Sequence, residues 1–258
     1  MKGNKMRKIL LILLLLVAFH SHFYPQTFRR SVDFTDRPIG ITKSSIYSDI
    51  IRTRLSARPI SYTTMGEGII DLRSGKIDGY LIDLSIARMF VSDTNNSDLR
   101  VIDIADNAFS TDIGACSHDK VLIERFNIYL KKIQEDGTLD EMQNRWFEAN
   151  GKVEHPIIRS SGLKGVIKVG TNSRARPFSY LENDKFAGYS IELIQRFAAD
   201  IEYRIEFTDL LFHDQIPFVR NKKVDMAISN ISMTPERKKI VMFSEPIYVG
   251  KAGIIVRS

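Results

Sequence analysis

Cysteine is almost missing from this chain of 258 residues: Cys116 is the single one, so no disulfide can form within it. The five histidines are scattered, and no HExxH pair or His-Cys spacing offers a metal site. There is no P-loop and no GxSxG elbow; "MGEGII" holds only a Gly-x-Gly ahead of a helix, a weak phosphate signal. No cofactor and no metal is therefore expected, and binding is favoured over catalysis. Long apolar runs are lacking too. The run Ile9–Phe19 has eleven residues, against the roughly 20 that a bilayer span needs.

Lys2, Lys5, Arg7 and Lys8 precede that run, so residues 1–24 read as a secretory signal. An uncleaved N-terminal anchor is the alternative, because "HSHFYPQ" has no clean pair of small residues for cleavage. The leader carries four of the formal +6 charges and leaves +2, too little to point to nucleic acid. Export without disulfides fits a bacterial periplasm. A hydrophobic content of 43% suffices for one large domain or for two lobes of roughly 100 residues each.

Along the chain, apolar strands alternate with helices, which points to an α/β protein with parallel sheets. "PIGITKSSIYSDIIRTRL" reads as a strand, a turn, and a helix with Ser44 or Ser45 as N-cap. "EGIIDLRSGKIDGYLIDLSIARMFV" is a helix, a Gly75 stop, a buried strand, and a helix opening at Asp83. Later come the strand "VIKVGT", the loop "NSRARPFSYLENDKFAG", the helix "SIELIQRFAADI", and a helix around "HDQIPFVRN". "LRSGKIDGYLID" and "VRNKKVDMAISN" echo each other at an offset of 147, which aligns Asp78 with Asp225 and Asp83 with Asn230. Each copy puts a polar residue at the carboxyl end of a strand, the end where open parallel sheets bind ligands.

Several side chains have two readings. Arg237 in "TPERKK" is either a solvated helix start capped by Thr234 or a fork of donors for a carboxylate, with Ser232 beside it. Ser44 and Ser45 are caps or part of an anion site. Asp83 is an N-cap or a counter-charge for an ammonium. Phe212, Phe178 and Tyr180 are core residues or a ligand platform.

These stretches resemble a known family, the periplasmic amino-acid-binding proteins of ABC importers (solute-binding family 3). The similarity is carried by "GVIKVGTNSRARPFSYLENDKFAGYSIELIQRFA", by the TxER turn and FSxPY of "ISMTPERKKIVMFSEPIY", and by "IGITKSSIYSDI", "SGKIDGYLID" and "NIYLKKIQEDGTLDEMQNRWF". The resemblance implies a type II, two-lobed periplasmic-binding fold that closes around a small zwitterion. It implies that Arg237 clamps the ligand carboxylate, with Ser232 and Ser45 assisting. It implies that Asp83 pairs with the ammonium and that Phe212 is an aromatic wall. The pattern departs at Asn172, where an acid is common, at Ala175, where an aromatic often stacks, at Asn230, where a small residue lends its carbonyl, and at Thr42, which replaces a longer polar residue.

The order of the pieces is not the family's. It resembles a circular permutation cut at the first hinge, with 32–113 as the second lobe, 114–148 as closing helices on the first lobe, 149–165 as a linker, and 166–258 as the first lobe. A cut hinge would couple the lobes loosely. A piece of a longer tandem receptor is the rival explanation. The expected protein is a periplasmic monomer that binds an amino acid, with an ABC importer's membrane subunit as a candidate partner. The alternatives are an enzyme on the same fold, such as a dehydratase of a cyclic amino acid, and a sensor or interaction module.

Overall fold

The structure, a computed structural model, describes residues 34–104, 110–148, 153 and 155–258. The expected leader, 1–24, lies outside these residues, as do 32–33 and 105–109 of the expected second lobe and 149–152 and 154 of the expected linker. Among the described residues no helix is long and apolar enough to cross a membrane.

Two five-stranded sheets share one plan. In the first, β1 (Pro38–Thr42), β2 (Arg58–Tyr62) and β3 (Gly79–Asp83) run parallel in the order β2-β1-β3. β15 (Ala252–Arg257) lies antiparallel between β3 and β4 (Leu99–Asp103). In the second, β7 (Val166–Thr171), β11 (Arg204–Asp209) and β12 (Met226–Ala227) run parallel in the order β11-β7-β12. β6 (Cys116–Ser117) lies antiparallel between β12 and β13 (Met242–Phe243). β3 and β12 are the echoing strands, and both are entered the same way. The Asp78 amide donates to the carbonyl of Pro38 and the Asp225 amide to that of Lys168, each in the first half of the neighbouring parallel strand.

Each sheet therefore takes its fourth strand from the other part of the chain. β5 (Thr111–Ile113) and β14 (Tyr248–Gly250) are the two crossings, and they pair antiparallel with Tyr248 opposite Ile113 and Gly250 opposite Thr111. This corrects the division at 166–258: Ala252–Arg257 belongs to the sheet of β1–β4. It also removes the cut hinge, because both crossings are present and hydrogen bonded to each other. The apolar run "AGIIVR" is buried at five of its six positions, which only a central strand needs.

Helices α1 (Tyr47–Arg54), α2 (Met65–Arg73) and α3 (Leu84–Val91) accompany the first sheet. With the second go α4 (Lys120–Glu135), α5 (Thr138–Gln143), α6 (Tyr189–Asp200), α7 (Gln215–Arg220) and the single turn α8 (Pro235–Lys238). The buried faces of α4 and α6 meet, with Phe126 edge-on to Phe197 at 5.0 Å. Glu192 on α6 is buried and accepts from Arg145, Arg196 and the Trp146 indole, which ties the segment after α5 to this lobe.

Two local expectations need correction. Ser44 and Ser45 do not cap α1; its N-cap is Ile46, without a side-chain bond, and Ser44 sits at φ 62° in a turn that ends before the helix begins. The expected loop after β7 is instead a three-stranded antiparallel sheet of β8 (Arg174–Ala175), β9 (Ser179–Glu182) and β10 (Lys185–Ala187). Phe178 and Tyr180 are buried in it, so they are core residues.

Candidate ligand site between the two sheets

The carboxyl ends of the parallel strands converge, as open α/β sheets require of a binding crevice. Thr42 ends β1, Asp83 ends β3, Asn172 follows β7, and Asn230 follows β12. All four line one cavity, together with Ser45, Phe212 and Ser232. Its volume is about 40 Å³, room for a few waters at most.

Asp83 takes the first of its two readings, the N-cap, with one carboxylate oxygen. Oδ1 accepts from the Ser85 amide at 2.9 Å and from the Ser85 hydroxyl at 2.5 Å, capping α3. Oδ2 has no partner, although the residue is only 2% exposed. Burial pushes its carboxyl up to about 6, against the pull of the Ser85 hydrogen bonds. Among the described residues no cation pairs with it. Gly250 makes the room, since a Cβ there would stand 2.7 Å from Oδ2. Burial, seconded by the Asp83 charge, holds the buried Tyr47 phenol well above its ordinary value.

The other side chains are held by short local bonds. Thr42 Oγ1 lies 2.9 Å from the Tyr80 hydroxyl. Asn172 Oδ1 accepts from the Arg174 amide and its carbonyl from the Ser179 hydroxyl. Asn230 Oδ1 accepts from the Ser229 hydroxyl. Ser232 bridges to Ile113 of the crossing strand β5, which fixes the start of the "SMTPERKK" turn. Ser45 leaves its buried hydroxyl without a partner.

Arg237 does not line this cavity. Thr234 caps α8 by accepting from the Arg237 amide. The guanidinium then turns away, donating from Nη1 to the Ser232 carbonyl at 2.8 Å and from Nη2 to the Ser44 carbonyl at 2.7 Å. It lies over the Phe212 ring, 5.6 Å from the centroid. No carboxylate pairs with it among the described residues, and burial lowers its pKa. Arg237 and Ser44 line a second cavity of about 350 Å³, with Phe212 as the wall common to both. Of the nine expected site residues, seven, Asp83 included, thus line one cavity, and Arg237 and Ser44 lie behind a contact that joins the two lobes.

Sequence reasoning missed Gln215, which lines the second cavity; a polar residue heading the apolar run "IPFV" was the available signal. It also missed Gly250, which no motif marks.

Residues 167–258 match the family described as bacterial extracellular solute-binding proteins, family 3. The arginine-binding extracellular protein ArtP of Bacillus subtilis (strain 168) is 38% identical over 95 residues, 37% of this chain and 37% of that protein. The ABC transporter arginine-binding protein 1 of Escherichia coli (strain K12) is 30% identical over 35% of this chain and 38% of its own length. The chain thus spans well under half the length of the curated relatives it matches. A solved arginine-bound, truncated ArgBP from T. maritima is 30% identical over 33% of this chain and 41% of that one, with a TM-score of 0.32. By this match, the segment 167–258, from β7 to β15, is similar to the bacterial extracellular solute-binding proteins, family 3.

Proposed function

We propose that the chain is an exported solute-binding protein that takes up a small zwitterion, an amino acid, between its two lobes. The observation that carries this reading is Asp83, a buried carboxylate in the cavity wall with one oxygen committed to the α3 cap and the other without a partner. A ligand ammonium is the partner that such an oxygen needs, because an unpaired buried charge is costly. Arg237 would bind the ligand carboxylate bidentately, releasing the Ser44 carbonyl that it now holds. Residues of both lobes wall the cavity, so a ligand enters by parting them. Bending at the paired crossings β5 and β14 is the movement available.

In this reading the protein works as a monomer in the periplasm and presents its closed form to the membrane subunit of an ABC importer. The order of its segments is that of a circularly permuted binding protein. Binding rather than turnover is its activity. Titration calorimetry of the chain against the twenty amino acids tests the reading. We expect one or a few to bind, with affinity lost at least tenfold in both Asp83→Asn and Arg237→Ala. Silence against all twenty, or consumption of the ligand, would sink it.

A further inference from the structure

The two edges of the first sheet differ in charge. The carboxyl ends of β1 and β3 wall the cavity at Asp83, and the amino ends of its parallel strands form the opposite edge. Along that amino edge the half built on β3, β15 and β4 is neutralised. Arg73 pairs with Asp98 at 2.8 Å, Lys76 with Asp71 at 2.9 Å, and Arg257 with Asp78 at 3.6 Å. The half built on β1 and β2 is not. Arg37 precedes β1, Arg58 opens β2, and Arg52 and Arg54 stand in the last turn of α1. All four are exposed, and no side chain among the described residues pairs with any of them. Backbone bonds hold these starts together: the Arg58 amide donates to the Arg37 carbonyl at 2.9 Å and the Ala57 amide to the Ile51 carbonyl at 3.2 Å. Asp36 is the acid beside them, whereas Asp49 lies in the first turn of α1, at the other end of the helix.

Ordinary structural causes explain part of this. Cations in a last turn suit the helix dipole, which accounts for Arg52 and Arg54. A charge on an edge strand such as β2 discourages pairing with another chain, which accounts for Arg58. Neither cause explains four arginines left without a carboxylate where the rest of the same edge is paired, because crowded like charges repel.

The chain also enters the lobe at this edge. Phe34 is buried, and its carbonyl accepts from the Arg37 amide. Ahead of it, residues 1–33 hold Lys2, Lys5, Arg7, Lys8, Arg29 and Arg30 against one acid, Asp33, together with the apolar run Ile9–Phe19. From Phe19 to Phe34 an extended chain spans roughly 50 Å at most, so a leader held in a bilayer puts headgroups within reach of this edge. An apolar insertion and a basic patch are the two signals that make membrane attachment stable.

We propose that Arg37, Arg52, Arg54 and Arg58 dock the amino edge of β1 and β2 on an anionic phospholipid surface. This goes beyond the amino-acid reading and does not rest on it, since the docked edge lies opposite the cavity and the test needs no amino acid.

Co-sedimentation of the full chain with vesicles of phosphatidylglycerol and phosphatidylcholine, and with vesicles of phosphatidylcholine alone, tests it. An arginine close to an anionic surface is worth about fivefold in binding. Arg37→Glu with Arg58→Glu should therefore cut affinity for the anionic vesicles at least tenfold and leave affinity for phosphatidylcholine unchanged. The leader contributes equally to wild type and variant, so the difference reports the edge. A control of the same net charge, Arg125→Glu with Lys185→Glu, reverses exposed cations on α4 and β10 and should lose less than threefold. Arg52→Gln with Arg54→Gln, a milder change, should lose at least fivefold and replaces the reversal if circular dichroism shows the latter unfolded. Equal losses in the edge and control variants, or no loss in the edge variants, would overturn the proposal. So would a random-sequence DNA duplex that binds through the same arginines while anionic vesicles do not.

Discussion

Asp83 couples the cavity between the sheets to pH. Its carboxyl sits at about 6 in the folded protein, against 3.8 for an unperturbed aspartate. Between those values the folded state holds a proton that the unfolded state has released, so stability falls as pH rises through this window and levels off above it. At ~1.4 kcal/mol per pH unit the burden at neutral pH is about 3 kcal/mol. The difference in urea midpoint between wild type and Asp83→Asn, followed from pH 4 to pH 8, should grow in favour of the asparagine form. A difference that is flat or of opposite slope would contradict the assignment. Ligand binding should run the other way, weakening as pH drops below about 6, because only the ionised carboxylate attracts an ammonium. Little of this was legible beforehand. The sequence position of Asp83 after an apolar strand allowed a cap or a counter-charge, and nothing in the letters says that one oxygen makes the cap while the other is buried without a partner.

At the scale of elements, Thr234 and Glu192 decide how well the lobe built on β7, β11 and β12 holds its shape. The Thr234 hydroxyl fixes the turn from which Arg237 springs, so Thr234→Ala should cost about 1 kcal/mol of stability and loosen the aim of the guanidinium. Glu192 is 3% exposed at its side chain and is bonded by Arg145, Arg196 and Trp146. Burial alone would raise its pKa, but those hydrogen bonds outweigh it and hold it below the ordinary value. Removing that charge in Glu192→Gln leaves Arg145 with a buried, weakened partner, and thermal melting should report a loss of about 3 kcal/mol. A loss below ~1 kcal/mol would mean that the network is dispensable. The elements themselves were largely readable from apolar periodicity and from Gly75 and Gly137, both at φ 80° where the chain turns out of a helix. The turn at Ser44 misled because serine before a helix is a common cap, whereas here a left-handed residue directs the carbonyl to Arg237. Polar letters such as "NSRAR" and "ENDK" concealed the β8–β10 hairpins, whose pairing depends on turns at Asn183 and Asp184 with positive φ.

At the scale of the whole molecule, two features govern movement. The crossings β5 and β14 run side by side, which restricts the lobes to bending about one line, and the Arg237–Ser44 bond fastens the mouth. Arg237→Ala should therefore open the ligand-free protein, with a larger radius of gyration by small-angle scattering than wild type. An unchanged radius would mean that other contacts keep the lobes together. The α/β architecture and the echo between the lobes were visible from the sequence, since both follow from local pattern. The exchange of β6 and β15 between sheets was not, because a strand of two residues leaves no pattern to read and one of six looks the same whichever sheet it completes.

That exchange also sets a timetable for synthesis. β3 and β4 are made early, yet the strand that belongs between them begins at Ala252. At roughly 5–20 residues per second, the ribosome needs on the order of ten seconds or more to supply it. Throughout that interval the nascent sheet of β1–β4 presents the unpaired edge of β3, whose five residues are all buried in the finished protein. Such an edge is a template for pairing with another chain. A chaperone that shields newly made strands should therefore raise the soluble yield of this protein more than that of a protein whose sheets are completed in chain order.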